Sequence, residues 1–246
     1  MYDNKLVAHG SVRNHVLNDL IEESKDQTTE LDGSNPLLFI DTAGALMYEA
    51  VEEDQKVTES KLNLGEVDLV LEVVQELLET GVKESHIGII SPYSAQVNEI
   101  RKELKKRAAV STGKIEVSTV DGFQGREKEV IIISMVRSNP HRNIGFLANE
   151  KRMNVAVTRA KRLCVLIGDS HTVSASKFLD SLCKHFRQYG QVRTAFEYAG
   201  NPNVRAMYGV KTATKKAELE ENKDTKKATK PAKTVEKKVI KTEDQK

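Results

Sequence analysis

The sequence predicts a doubly wound α/β fold, a mainly parallel sheet with helices on both faces, on three observations. Five short apolar runs rich in β-branched residues recur along the chain, they are continuous rather than alternating, and helical patterns lie between them. A strand covered on one face alternates apolar and polar residues, whereas one buried on both faces, as in a parallel sheet, reads as an unbroken apolar run. Strand and helix in alternation define a layered α/β domain.

The expected strands are PLLFID (36–41), IGIIS (87–91), KIEVST (114–119), EVIIIS (129–134) and LCVLIG (163–168). In GEVDLVLEVVQELLETG (65–81), Val67, Val70, Leu71, Val74, Leu77 and Leu78 form one helical stripe, and Gly81 is the expected stop. In YSAQVNEIRKELKKR (93–107), Val97, Ile100 and Leu104 do the same, with lysines in the last turn, where the helix dipole favours cations. Helices are also expected over 149–161 and 172–188, and a polar loop over 50–64. From about residue 211 the chain is Lys, Thr, Ala and Glu with no aromatic residue. Such a stretch buries too little surface to offset its ordering entropy, so 201–246 is expected to be a linker and a disordered Lys-rich tail. KKATKPAKTVEKK within it reads either as a solvated tail or as a nuclear-localisation or nucleic-acid-contacting run.

Charge is unevenly spread over the 246 residues. The stretch 211–246 holds 12 Lys against seven acidic residues, which leaves 26 basic against 29 acidic side chains in 1–210. The body is thus slightly acidic, and any face on it that binds a polyanion must be local. Cys164 and Cys183 are the only cysteines, one in an apolar run and one in an amphipathic segment, the pattern of buried thiols rather than of a disulfide scaffold. No segment approaches the roughly 18 apolar residues of a membrane helix and no secretory signal opens the chain, so an intracellular, soluble protein without a membrane partner is expected.

One short motif is a decoy. LLFIDTAG places Asp41 three residues before Gly44, like the Asp-x-x-Gly of GTPases or a Walker-B strand end. Both need a phosphate cradle of the form G-x-x-x-x-G-K-[ST], and no pair of glycines here satisfies it. Asp41 is therefore expected to be a strand-end turn residue. If this body handles a nucleoside triphosphate, it supplies one side of the site only.

Chemistry concentrates in two polar clusters beside buried-type strands: STVDGFQGREKEVIIIS (118–134) and EKRMNVAVTRAKR (150–162). Ligands of open α/β sheets bind outside the carboxyl ends of strands, and Thr119 through Glu127 are expected to leave such an end. Arg159 is expected on a helix whose apolar face holds Met153, Val157 and Ala160, close to the turn into the next strand. A guanidinium held there is a fixed fork for phosphate oxygens.

STVDGFQGREKEVIIISMVRS and GFLANEKRMNVAVTRAKRLCVLIGD together closely resemble motifs V and VI of superfamily 1 helicases of the up-frameshift-like branch. IGIISPYSAQV (87–97) resembles motif IV, and QVRTAFEY (191–198) resembles the end of the same core. The resemblance covers about residues 1–200. It implies a RecA-like, P-loop NTPase-type domain over 37–200, the second of two motor domains, with 1–36 as a leading connection from the first. In such helicases ATP with Mg²⁺ sits between the two domains, held mainly by the first, and single-stranded DNA or RNA crosses both. The resemblance implies that Arg159 is the arginine finger, that Glu127, Gly125 and Gln124 lie at the nucleotide, and that Ser91, Pro92, Tyr93 and Thr119 lie along the strand's backbone. It implies no resident metal, ATP-dependent 5′→3′ unwinding, and residence in nucleus and cytoplasm.

Plainer readings stand beside these. Gly122 and Gly125 can be turn glycines, Tyr93 a staple at a helix start, and Arg126, Lys128, Arg152, Lys161 and Arg162 solvated or surface-paired charges of little energetic weight. MYDNKLVAH resembles the stretch after motif III, so motifs I to III are expected upstream of Met1 and the chain by itself is expected not to hydrolyse ATP. The alternative function is a non-catalytic nucleic-acid-binding fragment.

Overall fold

All five apolar runs form strands in the computed structural model, which describes residues 7, 9–21, 31–51, 60–107 and 113–200. In chain order the strands are β1 (Leu37–Asp41), β2 (Ala50–Val51), β3 (Lys61–Leu62), β4 (Ile87–Ser91), β5 (Glu116–Thr119), β6 (Lys128–Ser134), β7 (Ala160–Gly168) and β8 (Gln191–Thr194). The helices are α1 (Leu64–Glu79), α2 (Ser94–Lys106), α3 (Glu150–Val157), α4 (Ser170–Val173) and α5 (Lys177–Tyr189). Six strands make one sheet in the order β5-β4-β6-β7-β1-β8, parallel at every pairing. This is the mainly parallel α/β sheet that the apolar runs predict and the RecA-like arrangement that the resemblance implies.

The side-chain period of two explains why those runs are unbroken. Leu38, Ile40, Ile87, Ile89, Val130, Ile132, Leu163, Val165 and Ile167 fall in one core, with the stripes of α1 and α2. Phe39, Ile90, Ile131, Ile133, Cys164 and Leu166 fall in the other, with Met153 and Ala156 of α3 and Leu179, Leu182, Cys183 and Phe186 of α5. Both faces are covered, so both phases of each strand must be apolar. The two cysteines are free and buried, and burial pushes each thiol up to about 12.

Several boundaries depart from expectation. Helix α1 ends as predicted: Gly81 adopts φ 92°, and the Val82 N–H donates to the Leu77 carbonyl at 3.0 Å. The segment expected as one helix over 149–161 stops at Val157, and Ala160–Arg162 already belong to β7, pairing with the start of β6. The segment expected as one helix over 172–188 is two, separated at Ser174–Ser176, because Ser176 caps α5 by accepting the Leu179 N–H. Within the expected loop over 50–64, Ala50–Val51 pair antiparallel with Lys61–Leu62, and Asn63 caps α1 by accepting the Glu66 N–H. The expected tail lies outside the described residues.

Candidate functional site

The two clusters meet, but on an edge other than the one expected. Thr119 does end β5 at the carboxyl edge, paired with Ser91 of β4. From there the chain folds back. Phe123 is fully buried, and its ring lies so close to Gly88 of β4 that a Cβ there would sit 2.6 Å from it. Lys128 then starts β6 at the opposite, amino edge, where its N–H donates to the Arg159 carbonyl at 3.1 Å. Gln124, Gly125, Glu127 and Arg159 therefore gather at the amino edge, because a helix feeding a parallel strand must deliver its last residues to that strand's start. The carboxyl-edge expectation is corrected for Gln124, Gly125 and Glu127, whereas Arg159 lies at the turn into the next strand, as expected.

At this edge the guanidinium of Arg159 is half-buried and held by neutral acceptors only. Nε donates to the Val155 carbonyl (3.0 Å), Nη2 to the Thr158 hydroxyl (3.0 Å) and Nη1 to the Arg126 carbonyl (3.5 Å). Its cationic neighbours are compensated: Arg126 by Glu116, Arg152 by Asp121 (2.8 Å), and Arg162 by Glu129 (2.9 Å) and Asp19 (2.7 Å). Among the described residues Arg159 forms no ion pair, so its charge is available to an incoming anion. Gln124, Gly125 and Glu127 are exposed beside it, and Gly125 takes φ 79° with open space where a side chain would be. That left-handed backbone is what a glycine supplies. No group of three or more His, Cys, Asp or Glu side chains able to hold a metal occurs among the described residues. What the edge offers a ligand is a fork of positive charge and an exposed carboxylate.

The predicted strand-contacting residues lie across the sheet, at the carboxyl edge, and two of them are not presented as expected. Ser91 is fully buried, its hydroxyl accepting the Tyr93 N–H at 3.4 Å. Tyr93 is 2% exposed, so its ring offers no open aromatic face. Its hydroxyl accepts from Arg137 Nη1 (3.2 Å) and the Phe146 N–H (3.1 Å), and its ring backs Phe146 at 5.3 Å between centroids. Tyr93 is the brace at the start of α2, and Phe146, 48% exposed, is the aromatic that faces outward. Pro92 and Thr119 are half-buried, Thr119 accepting the Gly122 N–H at 3.3 Å. Sequence reasoning passed over Phe146; the signal was an aromatic in the polar run NPHRNIGFLANE.

Beneath this edge lies a buried polar network that no local sequence pattern announces. After β6 the chain makes a three-residue turn in which the Arg137 N–H donates to the Met135 carbonyl at 2.8 Å, with Val136 at φ 71°. A β-branched residue there is strained and persists only where its surroundings hold it. Fully buried Glu66 accepts the Val136 N–H (2.8 Å) and the Ser134 hydroxyl (2.6 Å) on one oxygen, and Asn63 Nδ2 donates to the Val136 carbonyl (3.0 Å). The second Glu66 oxygen has no partner. Burial, opposed by those two hydrogen bonds and reinforced by the carboxylates of Asp169 and Glu49, pushes Glu66 up to about 8, so it is protonated near neutrality. The turn in turn aims Arg137 at Glu49, Nε to Oε1 at 3.0 Å, in a pair that is almost wholly buried.

Asp41 is a strand-end turn residue, as expected. Its carboxylate accepts from the Ala43 and Ser170 N–H groups (3.0 and 3.1 Å), from the Ser170 hydroxyl (2.7 Å) and from Arg187 (2.6 Å). Those acceptor positions are filled by the fold itself. No helix among the described residues is long and apolar enough to cross a membrane.

A parallel six-stranded sheet covered by helices on both faces makes this an α/β domain of the RecA-like class. A family model described as an AAA domain matches residues 1–171, and the chain belongs to that family. It is 46% identical over 198 residues to the DNA-binding protein SMUBP-2 of Rattus norvegicus, covering 80% of this chain and 19% of that protein. It is 39% identical to the DNA polymerase alpha-associated DNA helicase A of Saccharomyces cerevisiae, over 78% of this chain and 28% of that one. An uncharacterized ATP-dependent helicase of Methanocaldococcus jannaschii is 38% identical over 74% of this chain and 26% of its own length. The chain thus spans between about a fifth and a little over a quarter of these relatives.

Proposed function

We infer that the chain acts as the second motor domain of an ATP-dependent 5′→3′ helicase, with ATP and Mg²⁺ gripped mainly by a first RecA-like domain. The observation that carries this reading is Arg159: a guanidinium without a carboxylate, on an exposed edge whose other named cations are paired. ATP bound by the first domain supplies the γ-phosphoryl group and its developing charge, and a positive fork preset at that charge costs no reorganisation during the reaction. Glu127, Gln124 and Gly125 stand beside it as nucleotide contacts. The opposite edge takes single-stranded DNA or RNA through backbone groups near Pro92 and Thr119, which suits tracking without base reading. Residence in nucleus and cytoplasm belongs to the same reading.

A second reading, a non-catalytic nucleic-acid-binding fragment, is favoured by the missing G-x-x-x-x-G-K-[ST] cradle in this sequence. Mixing the chain with a separately made first RecA-like domain and single-stranded DNA separates the two. ATP hydrolysis above the level of either part alone is expected. Background hydrolysis, with an intact relative active under the same conditions, favours the fragment.

A further inference from the structure

A pocket of about 160 Å³ opens on the carboxyl edge between the loops that follow β1, β6 and β7. Its buried residues include Thr42, Ser138 and Asp169, and its outer wall includes Leu46, Tyr48 and His171. Three independent features mark it as built for an occupant. The Thr42 hydroxyl is buried, with the residue 1% exposed, and has no hydrogen-bond partner. Native folds rarely leave such a group unsatisfied without a reason. Leu46 and Tyr48 stand 66% and 56% exposed at the mouth, large apolar groups held out of the core. The described non-glycine residues with positive φ, Leu46, Val136 and Arg142, all lie in these same loops, and strain of this kind gathers where a ligand is gripped.

The chemistry of the wall selects the occupant. Asp169 holds its carboxylate at the pocket, accepting from the hydroxyls of Ser138 and Thr172, both at 2.8 Å, which repels a phosphate. The nearby guanidiniums are committed elsewhere: Arg137 to Glu49, and Arg142 to the His171 carbonyl (2.9 Å) and the Ser174 hydroxyl (2.7 Å). A flat, neutral group fits instead, one with an aromatic face for Tyr48 and hydrogen-bonding atoms on its edge for Thr42 and Ser138. On the reading that a single strand crosses this edge, we propose that the pocket receives one unstacked nucleobase of that strand, stacked on Tyr48 and hydrogen-bonded by Thr42. The pocket adds a base grip to a track that otherwise holds the sugar-phosphate chain.

The test uses the full 246-residue chain and three probes: a short oligothymidylate, an abasic strand of equal length, and thymidine monophosphate, with binding read by fluorescence or calorimetry. Tyr48→Ala is expected to weaken oligothymidylate binding roughly five-fold or more, the scale of one lost base stack, and to leave the abasic strand unchanged. Thr42→Val is expected to weaken the same strand while the thermal midpoint holds or rises, because it removes a buried hydroxyl that the free protein leaves unsatisfied. A merely structural role for Thr42 would lower that midpoint. If oligothymidylate binds equally well to both variants, the pocket assignment falls and the strand track stands. Binding of the monophosphate that depends on Tyr48, with oligothymidylate indifferent to it, overturns the assignment in favour of a free nucleotide. Failure of the wild-type chain to bind either strand overturns track and pocket together.

Discussion

Replacing Arg159 by Ala is expected to lower ATP turnover by about 10³–10⁵-fold in a protein that carries both motor domains, the range found when an arginine finger is lost. Nucleotide affinity should change little, because in the proposed arrangement the first domain holds the phosphates. Among the described residues the side chain donates only to the Val155 and Arg126 carbonyls and the Thr158 hydroxyl, so its removal breaks no ion pair there. A loss of turnover therefore reports on the phosphate rather than on stability. Arg159→Lys keeps the charge and loses the fork, and should recover only part of the rate. Steady-state hydrolysis beside a nucleotide-binding titration decides the matter. Turnover within about ten-fold of the parent, far short of a lost finger's effect, would remove the assignment.

The second large effect concerns Glu66 and pH. Its carboxyl stands at about 8 in the fold against 4.5 in its ordinary setting, chiefly through burial. The unfolded chain thus gives up this proton at a lower pH than the folded chain does. The stability tied to the neutral form is fully present below about pH 4.5 and drains away as pH rises to about 8. Glutamine is neutral throughout, can accept from Ser134 and Val136 on one atom, and puts its amide where the partnerless oxygen now lies. Each pH step of one across that window is worth about 1.4 kcal/mol, so Glu66→Gln should gain on the order of 3–5 kcal/mol relative to the parent. Denaturant unfolding of both proteins at several pH values measures it. A difference that stays flat with pH would show that Glu66 ionises inside the fold without cost.

Five strands of the sheet were legible in the sequence because burial on both faces forces an unbroken apolar run, whereas Lys128, the start of β7 and the whole of β8 fell outside the expected limits. The start of β7 was missed for a physical reason. Ala160, Lys161 and Arg162 carry helix-compatible side chains, and what makes them strand is pairing with Lys128–Val130, which local pattern does not encode. The two polar clusters were legible as sequence stretches but not as a surface. GFQGRE and NVAVTRA look alike as polar clusters, and the turn-back of the chain at Phe123, which carries Glu127 to the amino edge, depends on the absence of a side chain at Gly88 far away in sequence. Phe146, passed over in the sequence, faces outward where Tyr93 was expected to, for a similar reason. Two aromatics in loops are equivalent on paper, and the Tyr93 hydroxyl, by finding Arg137 and the Phe146 backbone, goes inside. Glu66 was hidden altogether, since a Glu in the first turn of a helix is ordinarily a solvated charge.

At the centre stands the proposed division of labour between two edges of one sheet, nucleotide at the amino edge and strand at the carboxyl edge. Hydrogen–deuterium exchange on a protein with both motor domains tests it directly, with a transition-state analogue of ATP hydrolysis and a single-stranded oligonucleotide added separately. Protection of residues 124–128 and 155–162 by the analogue, and of 42–48, 92–94 and 138–147 by the oligonucleotide, is the predicted result. Protection of the same residues by both ligands, or the two patterns exchanged, would contradict it.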